Sequence, residues 1–157
     1  MNIFAVSDDP AECARVLDDL RLRKMIVETA QLLSTALHEL DHPNAHFVYK
    51  PTHKNHPCAK WVRSDLEHYA WTLDHLEWLL YEYKYRLNKS HKTEKIAVPL
   101  TVVGSSWRKL ENFPNCTPYK DWDVFEAYKQ TLRDKWQEDE AKGRPPKWTN
   151  RGAPEWM

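Results

Sequence analysis

Apolar residues recur at helical spacing in three stretches of the chain. Between Leu20 and Leu40 the residues Leu22, Met25, Ile26, Val27, Ala30, Leu32, Leu33, Ala36 and Leu37 form a broad apolar body. A narrow polar stripe runs along it: Arg21, Lys24, Glu28, Gln31, Thr35 and His38, in alternating steps that keep all six on one helical face. A second pattern begins at His56-Pro57 and carries Val62, Leu66, Tyr69, Leu73, Leu76, Leu80, Tyr83 and Leu87, which predicts one long helix to about Asn88. A third starts near Asp121 to Asp123 and places Phe125, Tyr128, Leu132 and Trp136 on one face.

Punctuation fixes the rest. Asp9-Pro10-Ala11-Glu12 reads as a helix start, with Asp at the N-cap, Pro in the first turn and Glu completing a capping box. Ile3 to Val6 reads as a short strand, and Asp18-Asp19 as a kink or a new start. The segment from Pro43 to Pro57 is a loop. Residues 89–120 are irregular, broken by Pro99, Pro114 and Pro118, and the segment after Gly143 is a Pro- and Trp-containing tail. The expected fold is all-α: an irregular single-domain helical bundle over residues 1–157, with one long helix and an aromatic C-terminal tail over 143–157.

Composition sharpens this picture. The 157 residues carry 23 Lys and Arg against 23 Asp and Glu, so a polyanion site has to come from local clustering. Three glycines are too few for a Gly-rich phosphate loop or a dinucleotide fingerprint. No apolar run is long enough to span a bilayer, and the first residues lack the pattern of a signal peptide, so no membrane partner is expected. Three cysteines, Cys13, Cys58 and Cys116, do not make a disulfide framework, and a reducing cytoplasm is the expected compartment.

Four groups of residues could carry chemistry. On the polar stripe, Glu28 is placed for acid–base work with Arg21, Lys24, Gln31 and His38 lining a pocket, although solvent also selects a polar stripe. The stripe His68, Trp71, His75, Trp78, Glu82, Tyr85, Lys89 mixes stacking rings with cations; it could equally cover a helix seam. The loop from Tyr49 to Trp61 crowds Lys50, His53, Lys54, Asn55 and His56 before a helix N-terminus, where an anion is favoured, with Trp61 and Arg63 just beyond. Zinc through His53, His56 and Cys58 is the competing reading of that loop. Three ligands within six residues seldom close a tetrahedron, so no metal and no cofactor is expected. The basic run Lys84, Arg86, Lys89, His91, Lys92, Lys95 suits phosphates and also the negative end of a helix.

The segments MNIF, Lys24 to Ala36 and Tyr49 to Cys58, with Trp61, Arg63, Glu82, Tyr83, Tyr85, Arg86, Lys89, His91, Lys92, Arg151, Pro154 and Trp156, resemble a family of small phage and bacterial proteins. The layout as a whole resembles the phage pyrimidine-dimer DNA glycosylases of the endonuclease V type. Those are small all-helical proteins with an Arg/Lys-bearing early helix, a Gly/Asn-His turn before a long helix, and an aromatic basic tail. The resemblance implies use of a free N-terminal amine together with a Glu near the early helix. The second residue here is Asn2, before which an initiator Met is normally retained, so the amine would sit on Met1.

The expectation that follows is an enzyme acting on a nucleotide or nucleic acid at an N-glycosidic bond. Glu28 and His53 are its catalytic candidates. Arg21, Lys24, Lys50 and His53 would hold phosphate, and Trp61 or Trp71 would stack the base. Gln31, His38, Lys54, Asn55, His56 and Arg63 complete the binding set. The start of the Leu20–Leu40 helix and the Lys50–Cys58 loop should then face one another across one pocket. A non-catalytic protein that sequesters a nucleotide or a host protein with the same residues is the alternative; a scaffold with every Trp in its core is a third.

Overall fold

The computed structural model describes residues 1–104 and 110–157; residues 105–109 of the predicted irregular stretch lie outside the described residues. Among the described residues there are six α-helices: α1 (Pro10–Arg15), α2 (Asp19–Glu39), α3 (Pro57–Ser64), α4 (Leu66–Leu87), α5 (Ala97–Leu100) and α6 (Val124–Ala141), with 3₁₀ turns at Pro43–Phe47 and Lys92–Ile96. Among the described residues there is no strand, and the all-α expectation holds. No helix among them is long and apolar enough to cross a membrane.

α2 is the centre of the fold. It packs against α3 and α4, and α4 also packs against α1. Its residues Leu22, Met25, Ile26, Ala30, Leu32, Leu33 and Ala36 are almost wholly removed from water, as its broad apolar body requires. Leu20 and Leu40, at its ends, are exposed.

The predicted long helix is two helices. The break falls at Asp65, whose extended backbone caps α4 while its carboxylate accepts from the Glu67 N–H at 2.8 Å. A short polar side chain that captures a nearby N–H competes with the helical ladder, and periodicity alone does not register this. Leu66, counted in the apolar stripe, consequently opens α4 on the exposed side.

Ile3 to Val6 is not a strand. The Asn2 side chain accepts from the N–H groups of Ile3 and Phe4, and Phe4 has φ 45°, so the chain turns tightly at its start. The four residues then plug into the core. They are apolar because they are buried, and no neighbouring strand pairs with them.

Asp18 and Asp19 start α2 rather than kink a longer helix, Asp18 being its N-cap. Asp9 caps α1 by accepting from Ala11 at 2.8 Å, as the sequence predicts. Within residues 89–120 the structure adds the Lys92–Ile96 turn and the short α5.

α6 joins the body through large side chains. Trp136 donates to Asp18 at 2.8 Å, Tyr128 meets Phe4 edge-on, and Arg21 of α2 reaches Asp139 at 2.8 Å. The tail is fastened along its length: Trp148 donates to the Val16 carbonyl at 2.8 Å, Thr149 bonds Asp19, and Trp156 stacks on Trp136.

Candidate active site

The first turn of the chain and the first turns of α2 enclose a cleft with α6. Burial of Ile3 to Val6 fixes where the chain starts, and the Asn2 turn brings the Met1 amine to 4.0 Å from Glu28 Oε2. Lys24, one turn earlier on α2, reaches the other oxygen of Glu28 at 3.7 Å. The space in front of this carboxylate, about 310 Å³, is bounded by Met1, Arg21, Lys24 and Glu28 on one side and by Lys135, Asp139 and Arg144 on the other. Because α6 stands on aromatic side chains, the gap between it and α2 stays open and Arg21 bridges it.

Charge is unevenly distributed here. The Met1 amine, Arg21, Lys24, Lys135 and Arg144 outnumber Glu28 and Asp139. Arg21 is engaged twice, by Asp18 at 3.0 Å and Asp139 at 2.8 Å, and its hydrogen bond holds the Asp139 carboxyl below the usual range. Lys24 is largely in water and free to turn toward an anion.

The Tyr49–Trp61 loop meets α2 elsewhere. Thr35 donates to the Thr52 carbonyl and accepts from its N–H, both at 3.1 Å, and His38 Nε2 lies 3.1 Å from the Tyr49 carbonyl. The loop thus docks on the second half of α2, and the cleft lining excludes Lys50, His53 and Lys54. The expected single pocket joining these to Arg21 is replaced by two places on one helix face, separated because the four turns of α2 from Arg21 to Thr35 span roughly 20 Å. Lys50 and Asn55 are exposed, and Gln31 is half-buried between the two places. His53 is exposed, holds a positive φ of 48° and bonds Thr52. Lys54 pairs with Glu39 at 3.9 Å, and its carbonyl accepts from Arg63 at 2.7 Å.

The far end of the loop does not line the cleft either, but it comes within electrostatic reach of Met1 and Glu28. His56 caps α3 by accepting from the Cys58 N–H at 3.1 Å. Its pKa is lowered, first by burial, then by the Met1 ammonium and His53, with Glu28 opposing. Behind it Cys58 Sγ lies 3.3 Å from Cys116 Sγ. Cys116 ionises first of the two: the hydrogen bond from Cys58 draws its thiol down to about 7, with Tyr128 and Lys120 helping. Cys58 is pushed up by the same bond and by burial.

The aromatic candidates are interior. Trp61 is 7% exposed, stacked on His68 at 4.2 Å with Phe113 at 5.1 Å, and a base could reach it only after a neighbouring ring moved. Trp71 is fully buried and donates to the Asp8 carbonyl at 2.8 Å. His75 and Glu82, of the same expected stacking stripe, are buried as well, which leaves Trp78, Tyr85 and Lys89 at its exposed end. Arg86, in the basic run, is sealed against Glu82 and Asp19.

Sequence reasoning missed Lys135, Asp139 and Arg144, which no local pattern singles out, and Cys116, whose partners lie 58 residues earlier.

An amine, a carboxylate and a surplus of cations around one cleft equip a protein to handle a polyanion by nucleophilic chemistry. Residues 1–95 match the family described as pyrimidine dimer DNA glycosylase, and the chain belongs to that family, whose activity class is glycosylase-like action on DNA. The match contains Met1, Arg21, Lys24, Glu28, His56 and Cys58 and ends before α6. No curated protein and no solved structure matches the chain.

Proposed function

We propose that this protein opens the N-glycosidic bond of a pyrimidine in dimer-damaged DNA, with the Met1 α-amine as nucleophile. The observation that carries the reading is the approach of that amine to Glu28, 4.0 Å apart at the floor of a cationic cleft.

The Met1 ammonium gives a proton to water, its lone pair attacks C1′ of the sugar, and the C1′–N1 electron pair departs with the base, which takes up a proton from water. The glycosidic carbon is electron-poor as the bond breaks, and the Glu28 carboxylate is placed to stabilise that charge. Glu28 then accepts the proton that the secondary ammonium must lose before the sugar ring opens to an imine. Water hydrolyses the imine and restores the amine. Lys24, Lys135 and Arg144 take the flanking phosphates, Lys24 with the greatest freedom. His53, Lys50, Lys54 and Asn55 serve on this reading as outer contacts to the strand, while His38 and Arg63 hold the loop that displays them. The base remains tethered to its neighbour through the dimer, so the product is scored as an alkali-labile strand.

Borohydride reduction during turnover on a duplex carrying one pyrimidine dimer is the decisive measurement. The expected result is a covalent protein–DNA adduct that maps to the peptide beginning at Met1, and none from a variant with one Gly added before Met1. An adduct on Lys24, or full formation of alkali-labile strands by the extended variant, overturns the assignment of the amine.

A further inference from the structure

We propose that His56, Cys58 and Cys116 form a binding site for one Zn²⁺ ion, which clamps the start of α3 to the segment around Phe113 and Cys116. One ligand atom from each residue lies within 4.8 Å of the other two, and the two sulfurs are 3.3 Å apart. In a tetrahedral zinc centre, bonds of about 2.0–2.3 Å place neighbouring ligand atoms roughly 3.4–3.8 Å apart, so the side chains need only small adjustments. The three residues come from two separate parts of the chain. This removes the objection that His53, His56 and Cys58 raise as ligands, since His53 is exposed on the outer loop and Cys116 takes the third place.

The donor set also selects the ion. Two thiolates and an imidazole are soft to borderline ligands and favour zinc over magnesium or calcium. Two thiolates neutralise a dication, so the loaded site adds no net charge to a buried position, whereas Cys58, fully buried, is poorly placed for an unpaired thiolate. Loading makes His56 release the Cys58 N–H, one capping bond exchanged for a metal–nitrogen bond. Three protein ligands leave a fourth position for water. The clamp would hold Phe113 against Trp61 and Trp71. The site stands on its own geometry and does not depend on the glycosylase reading.

The test uses the full chain, reduced with a phosphine, stripped by a chelator and titrated with Zn²⁺ and with Co²⁺. One equivalent of zinc should bind and raise the thermal midpoint, and it should protect Cys116 from alkylation. Cobalt should give a thiolate charge-transfer band and the intense visible bands of a tetrahedral centre. Cys116→Ser should weaken binding by more than about 100-fold and abolish the charge-transfer intensity from that sulfur, with His56→Ala weakening it by about 10-fold or more. Cys13→Ala should change nothing at the site. Cys116 is half-buried, so its Ser variant keeps the test valid if Cys58→Ser does not fold. A weak octahedral cobalt spectrum, or unchanged affinity in Cys116→Ser, overturns the proposal. So does a reduced chain that binds no zinc and instead forms a Cys58–Cys116 disulfide with glutathione disulfide.

Discussion

Two clusters of charge sit near the two ends of the chain, and they are built in opposite ways. In the first, Arg86 and Arg151 face Glu82 and Asp19. Arg86 donates to Glu82 at 3.0 Å, to Asp19 at 3.2 Å and to the carbonyls of Leu17 and Arg15 at 2.7 and 2.8 Å. Arg151 of the tail completes Glu82 with bonds of 3.1 and 2.6 Å and lies 4.1 Å over the Tyr85 ring. Charges balance, distances are short and the Arg86 side chain is fully buried. In the second, the Met1–Lys24–Glu28 cleft, contacts are 3.7 to 4.0 Å, cations are in excess and one wall is open. A saturated network holds the tail to α4 and the α1–α2 junction; an unsaturated one waits for an anion. Saturation, rather than the presence of charge, separates a fastening from a site.

The largest effect is expected at Arg86, the centre of the saturated network. Arg86→Met leaves Glu82 and Asp19 short of a buried partner, and urea denaturation should show a loss of about 3–5 kcal/mol. A loss below about 1 kcal/mol would mean that the network is not what holds the tail. Glu28→Gln should do the reverse. Stability should stay within about 1 kcal/mol of the parent, because the pairs it breaks are long and partly solvated. Single-turnover cleavage should fall by about 10²- to 10⁴-fold. Equal turnover would remove Glu28 from the chemistry.

Titration extends the contrast to a sealed group outside both clusters. His75 is fully buried, donates through Nδ1 to the Pro10 carbonyl at 3.1 Å, and has no partner at Nε2; burial lowers its pKa from 6.5 to about 4. The fold therefore keeps the neutral ring while the unfolded chain takes up a proton below pH 6.5. This contribution to stability is fully present above pH 6.5 and is lost as pH falls toward 4, by up to about 3 kcal/mol. His75→Gln should lack this part of the acid slope, so its stability and the parent's should converge as pH falls from 7 to 4. Parallel curves would show that the ring titrates normally.

The smallest effect sharpens the open cluster. Lys24→Ala and Lys135→Ala should each weaken binding to undamaged duplex across all sequences and reduce the salt slope by about 1, with stability within about 0.5 kcal/mol of the parent. A salt slope unchanged in both variants would put the DNA on another surface.

The local devices were legible in the sequence. The Asp9 cap, the start of α6 near Asp121 to Asp123, the apolar body of α2 and the buried face of α6 all follow from residue type and helical period. Lys24 and Glu28 were legible as a pair, being one turn apart. Arg86 was not legible as a fastening: its place in a basic run reads the same whether water or Glu82 surrounds it. Trp61 was likewise ambiguous, because a ring that packs and a ring that stacks a base have the same side chain.

By itself the sequence determined the helical class, the polar face of α2 and the identity of its central carboxylate, since these depend on neighbours within a turn or two. Tertiary structure decided which charges are spent and which remain available. It folded Ile3 to Val6 into the core and so carried the Met1 amine to Glu28. It stood α6 off on Trp136 and Tyr128, opening the cleft that Lys135 and Arg144 line, and it brought Cys116 to His56 and Cys58. These meetings join residues tens of positions apart. Their free energy depends on burial and distance in space, quantities that helical spacing along the chain does not encode.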